Sequence, residues 1–455
     1  MSLTEELASF AVELDAGALD DETSRAVRRA VIDSLGVTVA GTRHPAARIV
    51  VDTLRALGRR GSATVVGSTR RVDVLGATLA NGVMAHVLDW DDTLLPTRLH
   101  LSATLIPALL ATGESHRWSG AQLSAAFAIG FEIQARLAKA VSPSMPDRGW
   151  HGTGVVGGVG VAAAVARLLG LDTTRTAHAI GIAASGGAGL VATFGSMSKS
   201  LNLGRAGAVG VESAYLAAGG FTSHPDIVGE GGFLRMYDDE PRPAALLDGL
   251  GSRWAVLENG YKPYPCGVVA HAAIDGVLQL RAQISPSDGL SALRLQVPPE
   301  TARLMGNPEP RTGLEAKFSV RYAAAVAWVD AMVLPEAFED QAVSGPAYRE
   351  TMERIAVKVI PGLAQDEARI EAETTSGSSL AVHVEHARGT AGRPLTDDEL
   401  QAKFLTACRI GGNGNGPQLL CTVDQLERIA VSEITALLPG DGGLDAATID
   451  EEKAR

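Results

Sequence analysis

The stretch GWHGTGVVGGVGVAAAVARLLGLD, residues 149–172, decides between two folds. Gly152-Thr153-Gly154-Val155-Val156-Gly157 satisfies the GxGxxG pattern, and Asp172 stands about where a dinucleotide-binding fold keeps its ribose-binding acid. That fold needs an apolar strand to deliver the first glycine. What precedes it is Ser142-Pro143-Ser144-Met145-Pro146-Asp147-Arg148-Gly149-Trp150-His151, which no central strand tolerates. The glycines therefore predict a helix start that lets neighbouring helices approach closely.

Outward from this stretch the first half of the chain keeps helical periodicity. Apolar residues recur at three- and four-residue intervals over 45–57, 74–87, 102–113, 120–141, 157–169, 173–184 and 206–218. Asp20-Asp21 marks another start before Ala26, Val27, Ala30 and Val31. Beyond about residue 265 the texture changes. The runs 290–297, 354–360, 368–374 and 380–385 are short, alternating or β-branched, and bounded by Pro, Gly and Ser, as strands are. Thr375-Ser376-Gly377-Ser378-Ser379 reads as a hairpin loop, with helices expected over 317–329 and 397–408. Helical periodicity returns over 422–438. The expected fold class is mainly α: a large, discontinuous helical domain of residues 1–262 and 396–455, and a smaller α+β lid domain of residues 263–395. At 455 residues the chain exceeds what one core usually supports.

Composition removes several function classes. The formal net charge is −12 and no basic stripe is present, so nucleic acid is not an expected partner. An acidic protein that binds an acidic ligand must build a local positive pocket, which makes each isolated cation worth following. Cys266, Cys408 and Cys421 show neither CxxC spacing nor metal-ligand spacing, so a reducing, cytoplasmic setting without disulfides is expected. Residues 1–14 mix Glu5, Glu6 and Glu13 with apolar residues, unlike a signal peptide. The uncharged run 176–198 holds five glycines and several hydroxyl residues, too polar for a bilayer span, so no membrane association is expected.

Four segments hold the residues able to do chemistry. In NGVMAHVLDWDDT, residues 81–93, followed by His100, three aspartates crowd four positions. They repel one another unless cations, protons or helix-start amides compensate. The segment is open to three readings: a solvated turn, a functional cluster, or a metal site that lacks HxxxH or HxH pairing. His151 precedes a helix start, whose positive end lowers a histidine's pKa and favours a neutral general base. In SKSLNLGRAGAVGVESAYLAAGGFT, residues 198–222, Lys199 and Arg205 are either solvated cations or, if buried, in need of an anion. KPYPCGVVAHAAID, residues 262–275, stiffens a suspected domain junction and places His271 at a helix start. Junctions are where pockets form. Nothing in the sequence activates Cys266 as a nucleophile.

In this order these segments, with LEAKFSVRYAAAVAWVD at 314–330, resemble the MmgE/PrpD family of dehydratases, decarboxylases and epimerases of small carboxylic acids. The resemblance implies a homodimer with no metal or organic cofactor. It also implies active-site positions at Asp89, Thr93, His100, His151, Lys199 and His271; the expected catalytic residues are Asp89, His100, His151, Lys199 and His271, with Asp91, Thr93, Arg205 and Lys262 expected on the substrate. The expected activity is a lyase on a small di- or tricarboxylate, with histidines moving a proton beside a carboxylate. An epimerase of an iminodisuccinate-like dicarboxylate and a non-catalytic dimeric homologue are the alternatives. Two departures from the family pattern bear on the substrate: His100 is followed by Leu101-Ser102 where His-Pro is usual, and Asn202 stands where many members carry histidine.

Overall fold

A computed structural model describes residues 1–455 except 16, 18, 230, 286, 287, 441–443 and 446–455. The last ten residues of the expected helical domain therefore lie outside the described residues.

The first half is a helical body whose starts are chemically marked. Asp20, Asp73 and Asp172 each accept a backbone N–H in the first turn of the helices Asp21–Gly41, Val74–Val87 and Thr173–Ser185. Ser119 forms a reciprocal cap with Gln122 at the head of Gly120–Ala140. Such caps satisfy donors that the helix itself leaves unpaired. The glycine-rich helix runs Gly152–Leu168 and is buried from Gly152 through Ala166. It has no polar stripe because it lies at the centre of the body.

This helix begins at Gly152, directly after His151 as expected and ahead of the apolar run 157–169, and the long helix that holds the run 206–218 begins at Ser198. Close packing explains both. A Cβ on Gly154 would sit 2.3 Å from the Ala188 carbonyl oxygen, and one on Gly204 would sit 2.4 Å from that of Leu79. Backbones this close reward helix at positions where propensity alone predicts a loop. No strand delivers the glycines. The approach is the short helix Ser144–Asp147 and an isolated bridge between Trp150 and Leu190, which removes the dinucleotide fold.

The second half holds a four-stranded sheet. Leu290–Val297 pairs in parallel with Ile355–Val359 and antiparallel with Ala368–Thr374, which pairs antiparallel with Ser379–Val384. In Ala368–Thr374 the alternate residues Ala368, Ile370, Ala372 and Thr374 are buried, as a sheet with one covered face requires. The cover is His271–Gln283, which packs against the last two strands and against the helix Val320–Asp330.

Among the described residues, two large and separate hydrophobic clusters result. One joins Leu7 through Tyr261 with Leu395 through Leu444; the other runs from Tyr264 to Ala387. The helix Asp397–Gly411 returns to the body and packs along Asp21–Gly41, where Lys403 donates to Asp33 at 2.5 Å. The helix expected over 422–438 is broken into Gly416–Asp424, Leu426–Arg428 and Val431–Thr435. The Ile429 carbonyl accepts from Gly120, and Val431 N–H donates to the Trp118 carbonyl, so tertiary pairing draws the chain out there. Among the described residues, no helix is long and apolar enough to cross a membrane.

Candidate functional site

The helix Val74–Val87 gives out at Leu88, and Asp89 takes a left-handed backbone conformation, φ 52°. That reversal is rare for a residue with a side chain and is held by its surroundings. Lys262 Nζ donates to Asp89 Oδ1 at 2.5 Å and to its backbone oxygen at 3.1 Å, and Lys199 Nζ lies 3.3 Å from the same Oδ1. Burial by itself would raise the pKa of Asp89, but Lys199 and Lys262 outweigh it and hold the carboxyl well below the usual range.

The other two aspartates have different partners. Asp91 Oδ2 lies 2.8 Å from His86 Nδ1 and 3.5 Å from His100 Nδ1. Burial raises its pKa, against the pull of His100 and Lys262. Asp92 accepts from Ser102 and, at 2.6 Å, from Asn259; burial and the nearby Asp33 push it up to about 7.

The rings of His100 and His151 both lie near His86, with centroids 4.5 and 6.2 Å from it. The His100 backbone donates to Thr153 Oγ1 at 3.1 Å, which ties the aspartate loop to the glycine-rich helix. Burial drives the pKa of both histidines well below the ordinary value. Asp91 opposes this at His100, whereas Lys199 reinforces it at His151. His151 is therefore neutral, as its helix-start position predicts, but burial and Lys199 are the larger causes.

Lys199 occupies the first turn of Ser198–Ala218. Its ammonium lies 5.1 Å from the Phe194 ring and 5.3 Å from the Phe318 ring. Burial lowers its pKa and Asp89 raises it in part.

Asp89, His100, His151, Lys199 and Lys262 line one cleft of about 830 Å³ of empty space, part of it open to solvent. Its walls come from both hydrophobic clusters, Leu99 and Met145 from one and Val269 and Met305 from the other. Arg98 and Arg303 join the lining. Four cations thus face a cleft in which Asp89 is the one carboxylate among the described residues.

His86, Asp89, Asp91 and His100 place possible ligand atoms within 4.8 Å of one another, close enough for a metal ion. The chemistry of the set argues against one. Asp89 is already engaged by two ammonium groups, and a divalent ion there would face their repulsion in a buried setting.

The remaining expected site residues lie elsewhere. Asp91 and Thr93 are behind His100, with Thr93 Oγ1 3.2 Å from its Nδ1. His271 is fully buried and does not line the cleft. Its Nε2 lies 3.2 Å from the Cys266 carbonyl, its ring meets Tyr264 edge-on, and burial followed by Lys262 lowers its pKa to about 3. Arg205 is exposed. Six residues along a helix turn it about 120° away from Lys199.

Lys317, Arg98 and Arg303 were not foreseen from sequence. Lys317 Nζ donates to the carbonyls of Leu88 at 2.7 Å and Pro265 at 2.9 Å, joining the aspartate turn to the Pro-rich strap. Burial, partly offset by Asp89, lowers its pKa to about 7. A signal existed: Lys317 is a lone cation between Ala316 and Phe318, both apolar.

The sequence model of the MmgE/PrpD N-terminal domain matches residues 5–245, and that of the MmgE/PrpD C-terminal domain matches residues 264–413. The chain is similar to the cis-aconitate decarboxylase of Mus musculus, 27% identical over 98% of this chain and 95% of the relative. It is 27% identical to the Homo sapiens cis-aconitate decarboxylase over 98% and 96% of the two chains. The cis-aconitate decarboxylase of Aspergillus terreus is 26% identical over 89% of each.

Proposed function

The chain belongs to the MmgE/PrpD family, and from that premise we propose a cofactor-independent lyase that acts on a small di- or tricarboxylate by moving a proton at the carbon beside a carboxylate. The observation that carries this reading is the charge of the cleft. Lys199, Lys262, Arg98 and Arg303 line it with Asp89 as the one lining carboxylate among the described residues, Glu300 and Asp147 reaching the two arginines from outside the lining, in a protein whose net charge is −12. A polyanion is the ligand such a cleft favours, and the whole-molecule field gives it no help.

His100 and His151 border the same space as neutral rings. A positioned base contributes roughly 10²–10⁴-fold. Charge growing on the substrate carboxylate as the proton leaves must be met by fixed cations and donors, and Lys199 is suited to that. Departure of carbon dioxide gives a decarboxylase and departure of a hydroxyl a dehydratase; the decarboxylase relatives favour the first. The reading includes a homodimer, supported by the exposed apolar side chains of Phe221 and Met236.

The test is proton NMR in D₂O over citrate, cis-aconitate, methylcitrate, tartrate and an aspartate-derived imine. Loss of carbon dioxide or water with deuterium incorporation is expected for one of the tricarboxylates. Exchange without net loss would move the assignment to an epimerase. No change in any acid would reject an enzyme of this class.

A further inference from the structure

The hydrogen-bond partners of the two cleft histidines fix which ring nitrogen of each carries the proton, and the answers are opposite. Thr193 Oγ1 donates its single proton to the Leu190 carbonyl at 2.7 Å. Its contact with Asn202 at 3.3 Å must therefore be one in which Thr193 accepts, so the Asn202 atom there is the amide nitrogen Nδ2. That same Nδ2 lies 3.1 Å from His151 Nδ1. A donor facing Nδ1 requires a bare Nδ1, which puts the proton of the neutral ring on Nε2. His151 Nε2 is buried, has no hydrogen-bond partner among the described residues, and belongs to a ring that lines the cleft.

For His100 the same reasoning runs the other way. Its Nδ1 lies 3.0 Å from the Asp92 carbonyl, 3.2 Å from Thr93 Oγ1, which then accepts, and 3.5 Å from Asp91 Oδ2. A carbonyl oxygen can only accept, so Nδ1 carries the proton and Nε2, on a ring that lines the cleft, keeps its lone pair.

We infer that His100 Nε2 is the proton acceptor at the substrate carbon, that His151 Nε2–H is the hydrogen-bond donor to the oxygen where charge develops, and that Asn202 is the positioning residue that sets this division. The inference rests on the proton-transfer reading above and adds to it the assignment of roles. His100 Nε2 takes the proton beside the carboxylate. The C–H electron pair moves into that carboxylate as an enediolate, and His151 Nε2–H and the Lys199 ammonium donate to its oxygen. When the pair returns to expel a neighbouring hydroxyl, the proton held by His100 leaves with it as water. Where carbon dioxide leaves instead, no C–H proton is taken first: the bonding pair of the departing carboxylate stays on carbon, and His100, having taken up a proton from solvent water at Nε2, delivers it there. A neutral imidazole that polarises an oxygen is an established device. It reverses the general-base role that the helix-start position of His151 suggests.

The experiment is nitrogen NMR of the substrate-free protein labelled in its histidine side chains, with His100→Gln and His151→Gln used to assign the two rings. The expected pattern is a protonated Nε2 and bare Nδ1 for His151, and the reverse for His100. The same tautomer in both rings, or a protonated Nδ1 in His151, overturns the inference. Asn202→Leu is expected to give His151 a mixture of tautomers and leave the His100 signals in place. Its kcat should fall about tenfold with KM within a few-fold; an unchanged kcat also overturns the inference. Tautomers are read without substrate, so the stated pattern in a protein that converts none of the acids would defeat the functional reading and leave the tautomer assignment standing.

Discussion

Lys262 holds Asp89 through two contacts, its ammonium reaching both Oδ1 and the backbone oxygen of the same residue. The pair joins the chain at the Pro-rich strap to the aspartate turn, and both side chains are buried. Removing one member of such a pair leaves an uncompensated charge and typically costs about 3–5 kcal/mol. Lys262→Met should therefore lower unfolding stability toward the low end of that range, since Lys199 still lies near the carboxylate. Urea unfolding of the variant checks this, and a loss under about 1 kcal/mol would show that the pair does not hold the turn.

Lys317 should leave a mark on the pH dependence of stability. Its folded pKa of about 7 lies below the ordinary lysine value of 10.5, so between those values the unfolded chain binds more protons than the folded one. Stability should rise with pH across that window, by at most about 1.4 kcal/mol per pH unit from this one group. Lys317→Met removes that contribution. Denaturant midpoints measured from pH 7 to 10 should rise less steeply in the variant, and parallel curves would contradict the assignment.

The three cysteines should separate in reactivity. Burial pushes both Cys266 and Cys408 up to about 12, whereas Cys421 is exposed. The thiolate is the reactive form. A thiol reagent near neutral pH should modify Cys421 alone in the native protein and all three after unfolding. Rapid native labelling of Cys266 would mean that the strap opens.

How much of this was legible in the sequence depended on whether local pattern or distant packing decided the matter. The helix Val74–Val87 and the strands Leu290–Val297 and Ala368–Thr374 stand at the residues their periodicity marks, because cap residues and alternation are local signals. The apolar runs 157–169 and 206–218 mark only the later parts of the helices that begin at Gly152 and Ser198, since the close backbone contacts that favour helix at their starts come from segments far along the chain. Asp89, His100, His151, Lys199 and Lys262 could be picked out as charges and rings in apolar surroundings, and they meet at one cleft. The same signal could not separate a residue facing the cleft from one behind it. Thus His271 turns to the Cys266 carbonyl and Asp91 stands behind His100, distinctions made by side-chain direction. Arg205 was set apart from Lys199 by helix geometry that a linear reading of the segment passed over.

The most direct test of the account is the affinity of a non-reactive tricarboxylate, tricarballylate, for the wild type and for Lys199→Met by titration calorimetry. The wild type should bind, and the variant should bind at least about tenfold more weakly, a loss of about 1.4 kcal/mol or more. Equal affinity in the two proteins, or no binding to the wild type, would contradict a cleft built by Lys199 and its neighbours for a small polycarboxylate.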